Sequence, residues 1–283
     1  MGTSQVQCQR WRDRRDVWVL PGQFLDTSRY RVGEVGEVAA RRFVEGHHYS
    51  GSFPAALVSY GLLDVADGRL VGVAVLGVPV SRPVLTNAFP SLEPYRESCE
   101  LSRLVLLDEV PGNAESWFVA RVFAQARERG IRGVVSFSDP VPRTTLAGEI
   151  ILPGHVGIVY QALGAVYAGR STARTLRLLP DGTVLNDRTV QKIRRQEQGH
   201  RYAEARLVAA GAAPLRPGQD PVVWLGRAFA DVGVRLLRHG GAHRYLFPIG
   251  TPADRRAVRR SLNVTGPYPK QVDRDGLDVE VAA

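Results

Sequence analysis

Apolar residues recur along the chain in blocks whose spacing switches between helical and alternating. At 35–46, Val35, Val38, Ala39 and Phe43 fall on one side of a 3.6-residue repeat, which predicts a helix. Two strands follow at 55–62 and 69–78, joined by a turn at 64–68 whose Ala-Asp-Gly suits a hairpin. Prolines 83, 90 and 94 interrupt the stretch 81–98 and predict an irregular loop. The strand CELSRLVLLD (99–108) leads into the clearest helical signal. There Pro111-Gly112 ends the strand and Asn113 can cap, while Ala114, Trp117, Phe118, Val122 and Ala126 mark a buried stripe that Gly130 stops. Beyond it the pattern predicts a strand at 131–137, a short helix in 154–164, strands at 165–169 and 173–179, and a closing strand at 243–248. Residues 181–240 alternate basic and apolar positions at helical spacing with a break near 198–199, which predicts a helix–turn–helix-like insertion.

This order of elements is that of the α+β acetyltransferase (GNAT-like) fold. In that fold a mixed, mostly antiparallel sheet is flanked by helices, and two neighbouring parallel strands splay to admit an acyl thioester. The expected organisation is an arginine-rich arm at 1–30, a catalytic core at 31–180 and 241–270, a basic helical insertion at 181–240 and a tail at 271–283.

Composition narrows the class. A chain of 283 residues with 44% apolar and 23% charged residues can bury a sizeable core and reads as soluble and globular. The net charge of +9 favours a polyanionic partner such as nucleic acid. All of the 37 basic residues except Lys192 and Lys270 are arginine, a skew that a GC-rich genome also produces. Cys8 and Cys99 lie far apart without metal-ligand spacing, which fits a reducing compartment. The first residues carry no apolar signal segment, and no apolar run is long enough to cross a bilayer, so the expected location is cytoplasmic.

Several segments carry chemistry, and each also has a purely structural reading. HHYS (47–50) closes the first helix. Histidines there can ligate a metal or act as bases, or can complement the negative end of the helix dipole. On the ELSR strand, alternation puts Glu100 and Ser102 on one face, with Leu101 and Arg103 on the other. Such polar residues imply either a lined cavity or an internal ion pair. PGNAES (111–116) joins a strand to a helix N-terminus, where free amides can cradle phosphate through Gly112, Asn113 and Ser116. The usual Q/R-x-x-G-x-G/A loop of acetyltransferases is missing there. In SFSDP, Asp139 ends a strand as a base, a metal ligand or an Asx turn. GHVGIVYQALG adds His155 and Tyr160, the latter also suited to core packing.

HHYS, ELSRLVL with PGNAESWF, VSFSDP, GHVGIVYQALGAVYAGRS, a basic helical segment, then HRYLFP and YPK together resemble the Mom family of Mu-like phage DNA-modification proteins, over about 45–270. The resemblance implies an enzyme that converts adenine N6 in double-stranded DNA to a carbamoylmethyl form and shields that DNA from restriction. It implies His48, Tyr49, Arg103, Asp139 and Tyr160 in the active site, which Glu100 would join. It also implies an acetyl-coenzyme A pocket, here at Leu106, Gly112, Asn113 and Ser116, and bound iron. If a metal is bound, His48, Asp139 and His155 offer a two-histidine, one-carboxylate set of the kind that holds iron(II). The insertion's Lys192, Arg194, Arg195, Arg201 and Arg206 would follow DNA phosphates. Two other readings stand beside this one: an N-acyltransferase for a small-molecule or protein amine, and a non-catalytic DNA-binding module, monomeric or dimeric.

Overall fold

The run LVGVAV is apolar on both sides, as a strand covered on two faces must be, and the amphipathic helices supply the covers. The computed structural model describes residues 6–12, 15–19, 24–262 and 266–270. In chain order they form β1 (Val6–Arg12), β2 (Arg15–Val19), β3 (Tyr30–Glu34), α1 (Glu37–His47), β4 (Ala56–Asp64), β5 (Leu70–Gly77), α2 (Pro83–Ala88) and β6 (Ser98–Leu106). Next come α3 (Ala114–Glu128), β7 (Gly133–Ser138), β8 (Arg143–Thr144), β9 (Ile150–Leu152), α4 (Ile158–Ala162), β10 (Val166–Arg170), β11 (Arg174–Leu178) and β12 (Val184–Leu185). The last are α5 (Asp187–Arg195), α6 (His200–Ala209), α7 (Pro221–Val232), β13 (Arg235–His239), β14 (His243–Pro248) and α8 (Pro252–Arg260).

The chain divides into two units. The first runs to Pro140 and adds His155–Ser171 and the stretch from Ala242; the second comprises Val141–Gly154 and Thr172–Gly241. The first unit holds a seven-stranded sheet in the order β10-β14-β7-β6-β5-β4-β3. Every neighbouring pair is antiparallel except β6 and β7. That parallel ladder joins Ser98, Cys99 and Glu100 to Gly133, Val134 and Val135, and then stops. Beyond it β6 runs on to Leu106 paired with β5 alone, and β7 runs on to Ser138 paired with β14 alone. The sheet therefore opens into a fork, as the acetyltransferase-like fold requires.

Two faces follow from the register. Cys99, Leu101, Val134, Tyr245 and Phe247 join the core that holds α3 and α4. The alternate positions Val135 and Leu246 pack with Leu85 and Phe89 of the α2 segment and with Val258 of α8. Along α3, Ala114, Phe118, Val119, Val122, Phe123 and Ala126 are buried. Each of its larger apolar side chains contributes about 1.5–3 kcal/mol by leaving water.

The second unit contains a three-stranded sheet, β12-β11-β13, and the pair β8–β9. Helices α5–α7 enclose a core that includes Val190, Ile193, Ala203, Leu207, Trp224 and Leu225. Asn186 caps α5 by accepting the Thr189 N–H at 2.8 Å, and Gln196 ends it in the left-handed conformation (φ 50). No helix among the described residues is long and apolar enough to cross a membrane.

Several expectations change. The expected arm contains the β1–β2 hairpin, and the proline-bearing loop contains the short helix α2, in which Pro83 sits in the first turn where no N–H is needed. The buried stripe of α1 is Ala40, Phe43 and Val44, whereas Val38 is 66% exposed and Ala39 is exposed as well, because at about 100° per residue Val38 lies nearly opposite Ala40. The strands expected at 165–169 and 173–179 do not pair with each other: β10 lies in the main sheet and β11 in the small one. The second unit is wider than 181–240, and β13 and α8 were not foreseen. The expected tail, 271–283, lies outside the described residues.

Candidate active site

The fork begins where Glu100 pairs with Val135. Gly77 faces Glu100 and Leu76 faces Leu101, but Val75 faces Arg103, so Ser102 is an extra residue in β6. This β-bulge breaks the period of two. It turns Arg103 to the same face as Glu100, which corrects the alternation expected from sequence. Gly77 makes room for it: a Cβ there would lie 2.8 Å from Ser102 Oγ and 2.7 Å from the Ala55 carbonyl oxygen. A glycine inside an apolar strand was the available signal for a bulge or a close approach.

Arg103 is tied down on this face. Its Nε–H donates to the Ser52 carbonyl at 3.1 Å, one Nη2–H to Ser52 Oγ at 3.1 Å, and one Nη1–H to the Ser102 carbonyl at 2.7 Å. Ser52 lies in the segment that leaves α1, so these bonds anchor the HHYS loop to β6. The loop is also pinned where the Arg41 guanidinium lies 4.6 Å from the Phe53 ring.

His48 and Tyr49 follow α1, their rings 4.2 Å apart. The Ser50 backbone N–H donates to His48 Nδ1 at 3.1 Å, with Ser50 Oγ at 2.8 Å from the same nitrogen. Because Nδ1 accepts, the neutral ring carries its proton on Nε2. Burial, then the charge of Arg103 and then His155 push His48 down to about 3, so the ring is neutral throughout the physiological range. His48 is therefore a hydrogen-bond donor through Nε2.

Burial raises the Glu100 carboxyl above its ordinary value, against the smaller pulls of Ser102 and Arg103. Burial lowers the Arg103 guanidinium, while Tyr49, Glu100 and Tyr160 favour its charge. Tyr160, on α4, approaches from the opposite face. Its ring packs 5.4 Å from Tyr245 and 5.9 Å from Phe247, and burial pushes its phenol up to about 12 against a pull from Ser136. Ser136 spans the start of the fork by donating to the Leu101 carbonyl at 3.1 Å. Tyr49 and Glu100 add smaller upward pushes on the Tyr160 phenol.

Asp139 follows β7, where its carbonyl accepts the His155 N–H at 2.8 Å. Burial lowers His155, and the Asp139 charge opposes that shift. His243, to which the sequence alone assigns no role, is paired with Ser138 and hydrogen-bonded through Nδ1 to the Tyr167 hydroxyl at 2.9 Å. Burial, Arg170 and His155 push it down to about 4. The HRYLFP run contains His243 and Tyr245, but nothing in their spacing shows that β14 lies beside β7. Ser52, Ser136 and the Ser102 bulge were likewise missed, because each acts through a register or a loop that only the fold defines.

The structure thus joins His48, Tyr49, Glu100, Arg103 and Tyr160 around the fork, with Asp139 and His155 at the end of β7. A family model described as the Mom protein family matches residues 29–219. The chain belongs to that family. The match runs through both units of the chain. A search of curated proteins found no match. Among solved structures, the chain is similar to a Bacillus subtilis acetyltransferase in complex with CoA, at 10% identity, covering 78% of this chain and 99% of that one, with a TM-score of 0.33. It is also similar to agmatine N-acetyltransferase, at 12% identity, covering 77% and 98%, with a TM-score of 0.36.

Family membership raises two cofactor questions. For an acyl-coenzyme A, the donor set fits. Past Glu100 the edge of β6 that faces β7 carries no strand partner among the described residues, and Leu106 ends that stretch. Asn113 precedes α3 in a left-handed conformation (φ 69) and makes no side-chain cap, and Gly112 has open space where a Cβ would stand. The expected Asn113 side-chain cap is therefore absent, and Ser116 Oγ instead donates to the Asn113 carbonyl at 3.1 Å. For iron, the set does not fit. No group of three His, Cys, Asp or Glu side chains among the described residues is placed to hold a metal ion. His48 Nδ1 is occupied by Ser50, and its other nitrogen bears the proton. The expected ligand set of His48, Asp139 and His155 is thereby corrected to one neutral donor and one histidine beside a carboxylate.

Proposed function

We propose that this Mom-family chain is a transferase that modifies a base of double-stranded DNA at the β6–β7 fork, with adenine N6 as the acceptor. The observation that carries the reading is the bulge at Ser102, which sets a carboxylate and a guanidinium side by side at an opening in the sheet. An adenine amino group is a weak nucleophile and is hydrogen-bonded within a base pair, so the base must leave the stack to react. Tyr49, 45% exposed, offers a ring for that base to stack on. Glu100, made more basic than a solvated carboxylate by burial, receives the proton that N6 sheds. The neutral His48 donates a hydrogen bond through Nε2, and the remaining N–H groups of Arg103 hold developing negative charge. Gly112, Asn113 and Ser116 at the start of α3, with the free edge of β6, would hold an acyl-coenzyme A. Bound there, it would supply a thioester carbon that bonds to N6 as the carbon–sulfur bond breaks and coenzyme A leaves as the thiol.

The second unit binds phosphates in this reading. Arg194, Arg195 and Arg201 are exposed on α5 and α6, and Tyr202 beside them is 75% exposed. Lys192 and Arg206 are half-buried in the same helices. Basic residues interleaved with an exposed aromatic suit a nucleic-acid backbone and its bases.

Nucleosides from DNA of cells expressing the chain provide the test. Mass spectrometry should reveal a modified deoxyadenosine absent from control cells. Unmodified nucleosides together with a coenzyme A-dependent product from a free amine would instead favour an ordinary N-acyltransferase. Unmodified nucleosides with tight DNA binding would leave a binding module.

A further inference from the structure

One strongly charged surface takes no part in the site just described. Helix α8, PADRRAVRR, places Arg255, Arg256, Arg259 and Arg260 at positions i, i+1, i+4 and i+5, all four exposed. At 100° per residue they fall within one side of the helix, away from Val258, which is buried in the cluster that holds Val135 and Leu246. Among the described residues none of the four has an ion-pair partner. The neighbouring acid, Asp254, is used up in capping: it accepts the Thr251 N–H at 2.8 Å and the Thr251 hydroxyl at 2.7 Å, and it faces Arg132 at 3.7 Å. Elsewhere the chain pairs such residues, as where Arg41 of α1 meets Glu37 and Glu45 one turn away. On α8 the residues one turn apart are Arg255 with Arg259 and Arg256 with Arg260, like charges that work against the helix. Arg127 and Arg132 add to the same field, since both act on Asp254.

The face is also the relevant one. Val135, which shares a buried cluster with Leu246 of β14 and Val258 of α8, pairs with Glu100 in the parallel ladder, so α8 and the Glu100–Arg103 side of the fork share one face of the sheet. We infer that the arginine face of α8 is a docking surface for the phosphate backbone of duplex DNA, and this rests on the reading that DNA is the substrate. Guanidinium forks suit phosphate oxygens, and a row of them held on a rigid helix meets a regularly spaced polyanion with little loss of freedom.

The test uses the full chain with all four arginines changed to glutamine (R255Q/R256Q/R259Q/R260Q), and a fluorescent DNA duplex titrated across a range of salt. Each arginine–phosphate pair removed should lower the slope of log affinity against log salt by about 0.9. The slope should therefore fall by about 3.6, with at least a roughly tenfold loss of affinity at low salt, and the melting temperature should be unchanged or higher. A control lacking Arg31 and Arg121, exposed on the far edge and the opposite face, should keep the wild-type slope. An unchanged slope in the α8 variant, or an equal loss per charge in the control, would overturn the α8 surface and leave base modification standing. Failure of the wild-type chain to bind duplex DNA would overturn both.

Discussion

Changing Glu100 to glutamine should abolish modification while leaving the protein folded. The substitution keeps size and shape but removes the proton acceptor, and loss of a general base costs about 10²–10⁴-fold in rate. Stability should not fall. Burial raises the folded carboxyl above its unfolded value, so ionising it as pH rises past that value opposes folding, and the uncharged amide removes this cost. The wild-type rate should climb as Glu100 ionises, with an acid limb above the ordinary glutamate value. No inflection near 6.5 should come from His48, which stays neutral down to about 3. Modified nucleoside per unit time, measured against pH for wild type, E100Q and D139N, checks this. Full activity in E100Q with loss in D139N would move the base to Asp139.

Changing Gly77 to valine should damage both fold and activity through the bulge. The new Cβ would stand 2.7 Å from a backbone oxygen, which cannot step aside as a flexible side-chain end could. Crowding of this kind costs about 1–3 kcal/mol, or a melting temperature lower by roughly 2–10 °C in a chain this size. Activity should fall further than stability explains, because relief of the clash shifts Ser102 and loosens Arg103 from Ser52. Thermal denaturation paired with nucleoside analysis separates the two effects. A variant that melts normally and modifies DNA at the wild-type rate would show that the bulge does not set the site.

Much of the fold was legible because its main signals are periodic and local. The apolar runs of β4 and β5, the apolar stripe of α3 and its glycine stop at Gly130 all stand in the sequence as they stand in the structure. The parallel pairing of β6 with β7 followed from the helix between them. The bulge was not legible in the same way: an alternating reading of CELSRLVL assigns Arg103 to the wrong face, and only Gly77 on the neighbouring strand hints otherwise. His243 and Ser136 gain their positions from pairing between strands far apart in sequence, which periodicity cannot express. Similarly, α8 hid behind its proline and arginines, although Thr251 and Asp254 form a full capping box that marks its start. The metal set failed because no three His, Cys, Asp or Glu side chains among the described residues are placed to hold a metal ion, which spacing does not reveal.

Base modification at the fork requires a base to leave the duplex and enter the gap between β6 and β7. A DNA duplex carrying a photoreactive azido-adenine, cross-linked to the chain and mapped by peptide mass spectrometry, asks this directly. Attachment should fall on the peptides that contain Tyr49 or Tyr160, and an ordinary adenine duplex in excess should suppress it. Cross-links confined to α5, α6 or α8, with neither tyrosine labelled, would mean that DNA is held outside while no base reaches the fork.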